Sequence, residues 1–357
     1  MRTSRTGKSL ALIICLPLAL AACGSPTTDE TSDDGGTDAG AVGGDQAAVC
    51  EAGAEEGTVV FWGSEEDATQ QKLEADFAAA HPGIDVEFQS LRPEDITQRL
   101  VLEAGSGRAS EVDVIEGNLD AFEPLVERDL VQQDVDWTSL GVRESLITET
   151  GMVRNSRIAN GLVYNPDVTQ PEDLPETWEE LIDPKWAGTV VVDPRGNPLQ
   201  ALALEWGVDE TVDYVERMKE TVQPVVIEGG TAGMLTVASG ENELTTNGRS
   251  AETLEQQAQG SPLEIHYLDV IPTSDFYQVV LADAPHPNAA ACWVGWLVGE
   301  EGAAKVLEYA YKGNDDIPAG APEDAVIAAI ETAEEVDLAA DAAAQIAAIW
   351  ASLGTAG

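Results

Sequence analysis

Residues 151–206 read GMVRNSRIANGLVYNPDVTQPEDLPETWEELIDPKWAGTVVVDPRGNPLQALALEW, and this stretch decides the fold. The apolar run that ends at Tyr164 predicts a strand, and the residues around Trp178 predict a helix. A second apolar run, 189–192, predicts another strand, and the glycine-containing turn at 193–197 leads from it into a further helix. The N-terminus of a helix carries free N–H groups and the positive end of the helix dipole, so this turn predicts a site for an anion.

The same stretch carries a family resemblance. Its ordered pieces VYNP, PEDLP, TWEELIDPKWAG and VVVDPR closely resemble those of the bacterial extracellular solute-binding lipoproteins of ABC importers, in the branch best known for ferric iron. The resemblance implies an α/β protein with the two-lobe, type 2 periplasmic-binding fold. Each lobe is then a mainly parallel sheet flanked by helices, hinge crossovers join the lobes, and a solute binds between them.

The first 22 residues predict a lipoprotein signal peptide. Arg2, Arg5 and Lys8 precede an uncharged apolar run over 10–22, which is too short for a comfortable membrane span of about 20 residues. The run ends in LAACG, which resembles a lipoprotein signal-peptidase site and implies that Cys23 carries lipid. Ordinary secretion with cleavage elsewhere is the alternative. The protein is therefore expected outside the cytoplasm, anchored to the cell membrane through its lipid.

Residues 23–56 predict a disordered acidic tether. They are rich in small and acidic residues and contain no aromatic residue, Lys or Arg, so they cannot bury enough apolar surface to offset the entropy of ordering. Once Cys15 is lost with the leader and Cys23 is lipidated, Cys50 and Cys292 remain. Outside the cytoplasm these two can form a disulfide, and two free buried thiols are the alternative.

The charge of the chain restricts its partners. The sequence has 65 acidic and 18 basic residues, for a net charge of −47. A surface this negative argues against nucleic acid and against direct adhesion to anionic lipid. Solubility in salt and attraction of cationic ligands both remain as explanations of the charge.

Residues 57–154 predict the first part of lobe 1. Apolar runs alternate with amphipathic helical segments in the order β-α-β-α-β, which is typical of a parallel sheet. Ligands of such sheets bind beyond the carboxyl ends of the strands. Those ends make Trp62, Ser64, Glu65 and Asn118 candidate ligand-binding residues, although Trp62 also fits a core or rim position.

Residues 155–272 predict lobe 2, and residues 273–357 predict a return to lobe 1 followed by C-terminal helices. A second glycine-rich turn, 228–233, leads from a strand into a helix. With the first such turn and the segment 240–249, where the family has its last ligand loop, it supplies the further candidates Gly196, Asn197, Gly230, Thr231, Thr246 and Asn247.

The sequence departs from the ferric-iron pattern at its deciding residues. In the iron-binding members two adjacent tyrosines bind the metal, and they match Gly248 and Arg249 here, while the first-loop ligand falls near Glu65. Fe(III) is a hard cation that requires phenolate, carboxylate or imidazole ligands. A glycine and a guanidinium cannot supply them, so we expect no metal and no cofactor.

Four arginines lie in the predicted cleft of a chain that has few cations, namely Arg154, Arg157, Arg195 and Arg249. The planar fork of a guanidinium suits a carboxylate, phosphonate or phosphate. The sequence therefore predicts an organic anion as the solute. Salt bridges to the acidic surface are the alternative role for these arginines, and ferric iron held by atypical ligands is the alternative solute.

No catalytic signature is present. The chain has three histidines and lacks the G-x-S-x-G, H-E-x-x-H, C-x-x-C and P-loop patterns. A lipid-anchored hydrolase is a remote alternative. The predicted function is that of a monomeric solute-binding protein, not an enzyme, which delivers its ligand to the permease and ATPase subunits of an importer.

Overall fold

The computed structural model describes Val42 and residues 44–353. The predicted signal peptide, the lipid attachment site Cys23 and most of the predicted tether lie outside the described residues. None of the described helices is both long enough and apolar enough to cross a membrane.

Short apolar runs form many of the strands, as their composition predicts. The strands are β1 (Thr58–Gly63), β2 (Asp85–Ser90), β3 (Val114–Gly117), β4 (Val153–Tyr164), β5 (Val190–Val192), β6 (Val225–Val226), β7 (Leu244–Arg249), β8 (Glu264–His266), β9 (Val270–Val280) and β10 (Val326–Ala328). They lie in the order β2-β1-β3-β9-β4-β7-β5-β6, with β10 on β9 and β8 on β4.

Helices alternate with these strands along most of the chain. Their starts follow local rules: α3 begins with Pro93 at its first position, and α11 begins with a capping box between Thr332 and Glu335. The helices are α1 (Gln46–Glu56), α2 (Asp67–Ala80), α3 (Pro93–Gly105), α4 (Leu119–Val126), α5 (Ala203–Trp206), α6 (Val208–Thr221), α7 (Gly230–Ala238), α8 (Ser250–Ala258), α9 (Pro287–Val298), α10 (Glu300–Ala310) and α11 (Ala333–Ala351).

Two groups of parallel strands are joined by two long antiparallel ones. Strand β1 is parallel to β2 and β3, and β5 is parallel to β6 and β7. Between them β4 and β9 pair antiparallel, and each also pairs with a neighbour on its other side. The predicted α/β fold with crossover strands is confirmed.

Each group of strands has its own hydrophobic core. In the first, Phe77 packs edge-on against Trp293 with ring centroids 5.1 Å apart, and Phe61 packs beside them. In the second, the fully buried Trp178 and Trp350 dominate. Burying one large apolar side chain stabilises a fold by about 1.5–3 kcal/mol. We propose that these cores belong to the two lobes predicted from the sequence.

The prediction of a disordered tether is wrong for its last part. Helix α1 begins after Asp45, whose carboxylate accepts a hydrogen bond from the Ala48 N–H (3.0 Å). One face of the helix buries Val49, Cys50 and Gly53, and a disulfide joins Cys50 to Cys292 in α9, as one of the two alternatives predicted. The acid-rich composition of residues 23–56 conceals this helix, because Glu51 and Glu55 lie on its exposed side and do not oppose burial of the other side.

The C-terminal helix does not pack where it was predicted. Instead of returning to the first lobe, α11 packs on α6, and its Ile346 and Trp350 are buried in the second core. Residues 326–328, within the part predicted to end in helices, form the strand β10 beside β9. Alanine-rich helices carry few large side chains, so the ones that pack in a core, here Ile346, Ile349 and Trp350, decide the position of this helix.

The helix predicted around Trp178 is replaced by short 3-10 turns over Pro171–Asp173, Glu180–Ile182 and Pro184–Trp186. The prolines leave too few uninterrupted residues for a stable α-helix. Hydrogen bonds to residues far along the chain hold this segment instead. The Trp178 N–H donates to Asp269 (3.0 Å), and its indole N–H donates to the Val270 carbonyl (2.7 Å).

Candidate functional site

Asp193 organises one wall of the candidate site. It follows β5 directly and is almost completely buried. Its carboxylate accepts hydrogen bonds from the Arg195 N–H (2.8 Å) and guanidinium (2.9 and 2.8 Å), the Gly229 N–H (3.0 Å) and the Asn247 amide (3.2 Å). One carboxylate thus holds together the segment after β5, the start of α7 and the end of β7.

These hydrogen bonds also set the ionisation of Asp193. Burial alone would raise the pKa of its carboxyl, but the hydrogen bonds from Arg195 and Gly229 and the charge of Arg195 outweigh it and lower the pKa. Asp193 is therefore a charged anchor at neutral pH.

The N-terminus of α7 opens at the same place. Its N-cap Gly229 has a positive φ of 92° and offers no side chain to cap the helix. The first N–H groups of a helix have no partner within the helix. The N–H groups of Gly230, Thr231 and Ala232 are thus available to a ligand, as the glycine-rich turn predicted, whereas the Gly233 N–H already donates to the Gly229 carbonyl (3.1 Å).

A cavity of about 350 Å³ lies against this wall. Six of the predicted ligand-binding residues line it: Arg195, Asn197, Gly230, Thr231, Asn247 and Arg249. The sequence reasoning missed the remaining polar lining, which comes largely from the crossover strands and the neighbouring helices. These missed residues are Asn160, Gln200, Glu252, Thr273 and Ser274.

A usable signal existed for part of the missed lining. Strand β4 is buried along its whole length, and a fully buried strand is normally an apolar run. The polar residues in its sequence VRNSRIANGLVY therefore mark a strand with a special role.

Both cavity arginines already pair with carboxylates and keep further N–H groups free for a ligand. Arg195 binds Asp193 through two nitrogens, but its side chain is 56% exposed. The Arg249 Nε lies 3.1 Å from the Glu252 carboxylate without the alignment of a hydrogen bond, and the side chain is 34% exposed. A guanidinium has five N–H donors, so each arginine can also donate to an anion.

Two further predicted arginines belong to a buried ion-pair network instead. Arg157 binds both carboxylate oxygens of Asp275, and Arg154 binds Asp316 (2.6 Å) and Asn314 (3.0 Å). Both are buried, and neither lines the 350 Å³ cavity. Their prediction as ligand-binding residues is corrected, since their donors are occupied by the protein.

Other predicted residues have structural roles. Trp62 is 4% exposed within a core cluster, and the Arg99 guanidinium covers its ring at 4.1 Å, so it cannot stack on a ligand. The buried Thr246 hydroxyl donates to the Val191 carbonyl (3.3 Å). Gly196, with φ 89°, packs against α11, and the Asn118 amide donates to the Asp275 carbonyl (3.2 Å).

The loop after β1 meets a lysine that the sequence reasoning overlooked. The Ser64 N–H donates to Glu116 (3.1 Å), and the Lys312 ammonium donates to Glu65 (2.7 Å). Burial alone would lower the pKa of Lys312, but the charges of Glu116 and Glu65 outweigh it and raise the pKa. Lys312 therefore remains an ammonium at neutral pH.

The position matched to the first iron-binding tyrosine has no room for a side chain. A Cβ added to Gly248 would lie 2.2 Å from Val163 Cγ2 and 2.8 Å from the Gly161 carbonyl oxygen. Strand β4 therefore excludes a phenolate from this point of β7, and the neighbouring Arg249 offers only donors. The described residues do not reproduce the tyrosine pair.

A larger cavity of about 610 Å³ has the opposite character. It is lined by Arg154, Tyr277 and five acids, Asp120, Glu123, Glu144, Glu149 and Glu331. Its carboxylates disfavour an anion, and of the predicted residues only Arg154 reaches it.

Comparison with known proteins decides the family. The model of the family described as "Bacterial extracellular solute-binding protein" matches residues 62–304, which is more than half of the chain. The chain belongs to this family. Its members are transport proteins, and they are not a class of enzymes.

Similar proteins of known structure share the fold of this solute-binding protein. Iron-bound HitA from Pseudomonas aeruginosa has a TM-score of 0.59 and 19% identity, covering 83% of this chain and 99% of HitA. The Trichodesmium protein IdiA (FutA), in complex with iron and citrate, has a TM-score of 0.63 and 18% identity, covering 84% and 100%. A putative extracellular solute-binding protein from Bordetella parapertussis has a TM-score of 0.66 and 16% identity, with the same coverage of 84% and 100%.

One curated protein is similar in sequence. Iron uptake protein A1 from Synechocystis is 27% identical over 207 residues, which are 56% of each chain. This solute-binding protein thus spans about half the length of the curated relative that it matches.

Proposed function

We propose that this protein is the substrate-binding component of an ABC importer and captures a small organic anion, such as a phosphonate, a phosphorylated compound or a carboxylate. The observation that carries the proposal is the cavity in which two guanidiniums and the N-terminus of α7 come together. A volume of about 350 Å³ lies within the range of small-molecule sites, about 300–1,000 Å³. The ligand is then delivered to a membrane permease.

The chemistry of the cavity supports an anion. Asp193 fixes Arg195 and the start of α7 in place, so the donors are oriented before a ligand arrives. Asn197, Thr231 and Asn247 add neutral polar groups, while Glu252 is the one acid of the lining and pairs with Arg249. An anion that fits this cavity would meet hydrogen-bond donors on several sides.

Binding across the crossover strands supplies the transport mechanism. Pro272, Thr273 and Ser274 of β9 and Asn160 of β4 line the cavity together with residues of the second group of strands. A ligand that contacts both lobes only in a closed form shifts the population toward that form. Solution scattering should then show a smaller radius of gyration with ligand than without it.

Ferric iron is the second candidate, because HitA, IdiA and iron uptake protein A1 carry iron in their names or complexes. Bare Fe(III) fits the described residues poorly, since Gly248 and Arg249 replace the tyrosine pair. An anionic iron chelate with citrate fits better, because its carboxylates can bind Arg195 and Arg249.

A thermal-shift screen of the purified chain tests both candidates. The probes are aminoethylphosphonate, glycerol phosphate, citrate alone, Fe(III)-citrate and spermidine, each with wild type, Arg195→Met, Arg249→Met and the surface control Arg217→Met. A ligand at 100 times its Kd adds about 2.7 kcal/mol of stability. Stabilisation by an anion that is lost in both cavity variants and kept in the control supports the proposal.

Other outcomes of the same screen overturn the anion proposal. A response to Fe(III)-citrate without any response to citrate or the other anions makes the metal the cargo. A response to spermidine alone makes a cation the ligand. An anion response that survives both arginine substitutions shows that the site lies elsewhere.

We also propose that the chain is monomeric and that a lipid on Cys23 anchors it outside the cytoplasm. Intact-mass measurement of membrane-extracted protein tests the anchor. Cys23→Ser should release the protein into the medium, and retention of that variant at the membrane would contradict it.

A further inference from the structure

Lys312 lies where a cation would otherwise be expected. Glu65 follows the end of β1, and Glu116 lies near the end of β3. Gly63 leaves room for the Glu116 side chain, because a Cβ at Gly63 would lie 2.8 Å from Glu116 Oε2. Glu116 is 2% exposed and the Glu65 side chain 14%, and two carboxylates brought into one buried place attract a cation. The chain supplies it: the ammonium of Lys312 lies 2.7 Å from Glu65 and interacts electrostatically with Glu116.

The lysine is held on several sides. Its side chain is largely buried, its ammonium lies 5.2 Å from the centre of the Phe276 ring, and the adjacent Gly313 pairs with Arg157 of β4. The following Asn314 and Asp316 bind Arg154. Lys312 therefore belongs to a segment, 312–316, that is fastened to the crossover strands, and its ammonium is not a freely moving surface charge.

The same ammonium is close to the candidate site. The Phe276 ring, 5.2 Å from the ammonium, lies two residues along β9 from Ser274, which lines the 350 Å³ cavity. The chain has only 18 basic residues against 65 acidic ones, so a largely buried ammonium beside the strand that lines the cavity is notable.

We propose that Lys312 is a built-in cation that fills the carboxylate pair Glu65 and Glu116 and determines the specificity of the site. It denies these carboxylates to a hard metal ion, and it presents a positive group to an anionic solute from the first lobe. The role of Lys312 in anion binding rests on the proposed function, whereas its exclusion of a metal ion is independent of that function.

The test replaces Lys312 by methionine, which keeps the length of the side chain and removes the charge. Terbium(III), a hard cation that takes oxygen ligands, serves as the luminescent probe. Lys312→Met should bind one additional Tb³⁺ per chain at Glu65 and Glu116. Its affinity there should be at least about tenfold higher than that of wild type, because a positive charge has been removed. Adding Glu65→Gln should abolish the gain.

Two variants control for charge and for the presence of a cation. Lys219→Met makes the same change in net charge at a lysine outside every ion pair of the described residues, and should give no gain. Lys312→Arg keeps a cation and should also give none. Equal gains in Lys312→Met and Lys219→Met, or no gain in either, would overturn the proposal.

The proposal stays testable if Lys312→Met does not fold. Glu65→Gln alone, checked for folding by circular dichroism, should leave the Tb³⁺ binding of the chain unchanged, because Lys312 already occupies that carboxylate. A fall in Tb³⁺ binding would show that Glu65 holds metal in the presence of Lys312.

The anion arm separates this proposal from the proposed function. An anion found in the thermal-shift screen should bind Lys312→Met at least about fivefold more weakly than wild type, and unchanged affinity would overturn the role in anion binding. If no anion binds wild type, the proposed function fails, while the terbium result still decides whether Lys312 fills the carboxylate pair.

Discussion

The guanidinium of Arg157 in β4 binds both carboxylate oxygens of Asp275 in β9, with Nε 2.8 Å from Oδ1, across a separation of 118 residues. Both side chains are buried, and Arg154 lies 3.7 Å from the same carboxylate. The pair therefore ties together the two strands that connect the groups of parallel strands. Its role is to fix the crossover.

Breaking this pair should destabilise the protein. Arg157→Met leaves Asp275 as a buried carboxylate with one distant partner, and such a loss costs about 3–5 kcal/mol of unfolding free energy. Urea denaturation measures it. Arg217→Met is the matched control, because its pair with Glu179 is 47% and 64% exposed, and it should cost no more than about 1 kcal/mol. Equal losses in the two variants would mean that burial of the Arg157 pair does not matter.

The disulfide should contribute measurably to stability. Cys50 and Cys292 join α1 to α9, so the double variant Cys50→Ser/Cys292→Ser should lose about 2–5 kcal/mol. Thermal unfolding of this variant should match that of reduced wild type. Peptide mapping of the purified protein under non-reducing conditions that finds two free thiols would contradict the bond.

Acid should remove the contribution of Asp193. Its pKa lies below the ordinary value of 3.8, so the unfolded chain takes up the proton first. The stabilisation is complete above that value and is lost as the pH falls through the lower pKa of the folded protein. Asp193→Asn should therefore lower the Tm most at pH 6 to 7, and its difference from wild type should narrow toward about pH 3.

A variant elsewhere controls for the loss of one negative charge. Asp324→Asn removes an exposed carboxylate from the same protein. A difference between wild type and Asp193→Asn that stays constant from neutral to acidic pH would show that the ionised form of Asp193 does not organise the wall.

The sequence predicts most strands and the wall that Asp193 organises, because both depend on neighbouring residues. Apolar runs such as 189–192 and glycine turns such as 193–197 and 228–233 determine their structure from neighbouring residues. Arg195, Gly230 and Thr231 follow from these turns, and the cavity includes them.

The sequence predicts partners poorly, because a partner can lie anywhere along the chain. In the sequence, Arg157 is equally consistent with an ion pair inside the protein and with a bound anion. Only the fold shows that Asp275 is its partner. Glu65 and Lys312 are 247 residues apart, so no local pattern joins them. Trp62 was ambiguous for the same reason, since the helix that carries Arg99 decides that its ring is covered.

Gly248 gives the sharpest test of why this chain departs from the iron-binding pattern. A Cβ at this position would lie 2.2 Å from Val163 Cγ2, so Gly248→Ala should destabilise the protein by about 1–3 kcal/mol through overpacking. The second substitution Val163→Ala removes the obstructing methyl groups. It should therefore restore part of the loss in the double variant, although by itself it leaves a cavity in the core.

The control is Gly105→Ala at the end of α3, where a new Cβ meets no atom within 4 Å, so its stability should stay near that of wild type. Urea denaturation of the four variants measures the coupling between positions 163 and 248 as a double-mutant cycle. A coupling free energy near zero would assign the obstruction to the Gly161 carbonyl and not to the methyl groups of Val163. An unchanged stability of Gly248→Ala would mean that β4 does not exclude a side chain from position 248. A tyrosine could then enter there without rearrangement, and the steric argument against an iron-type ligand set would be lost.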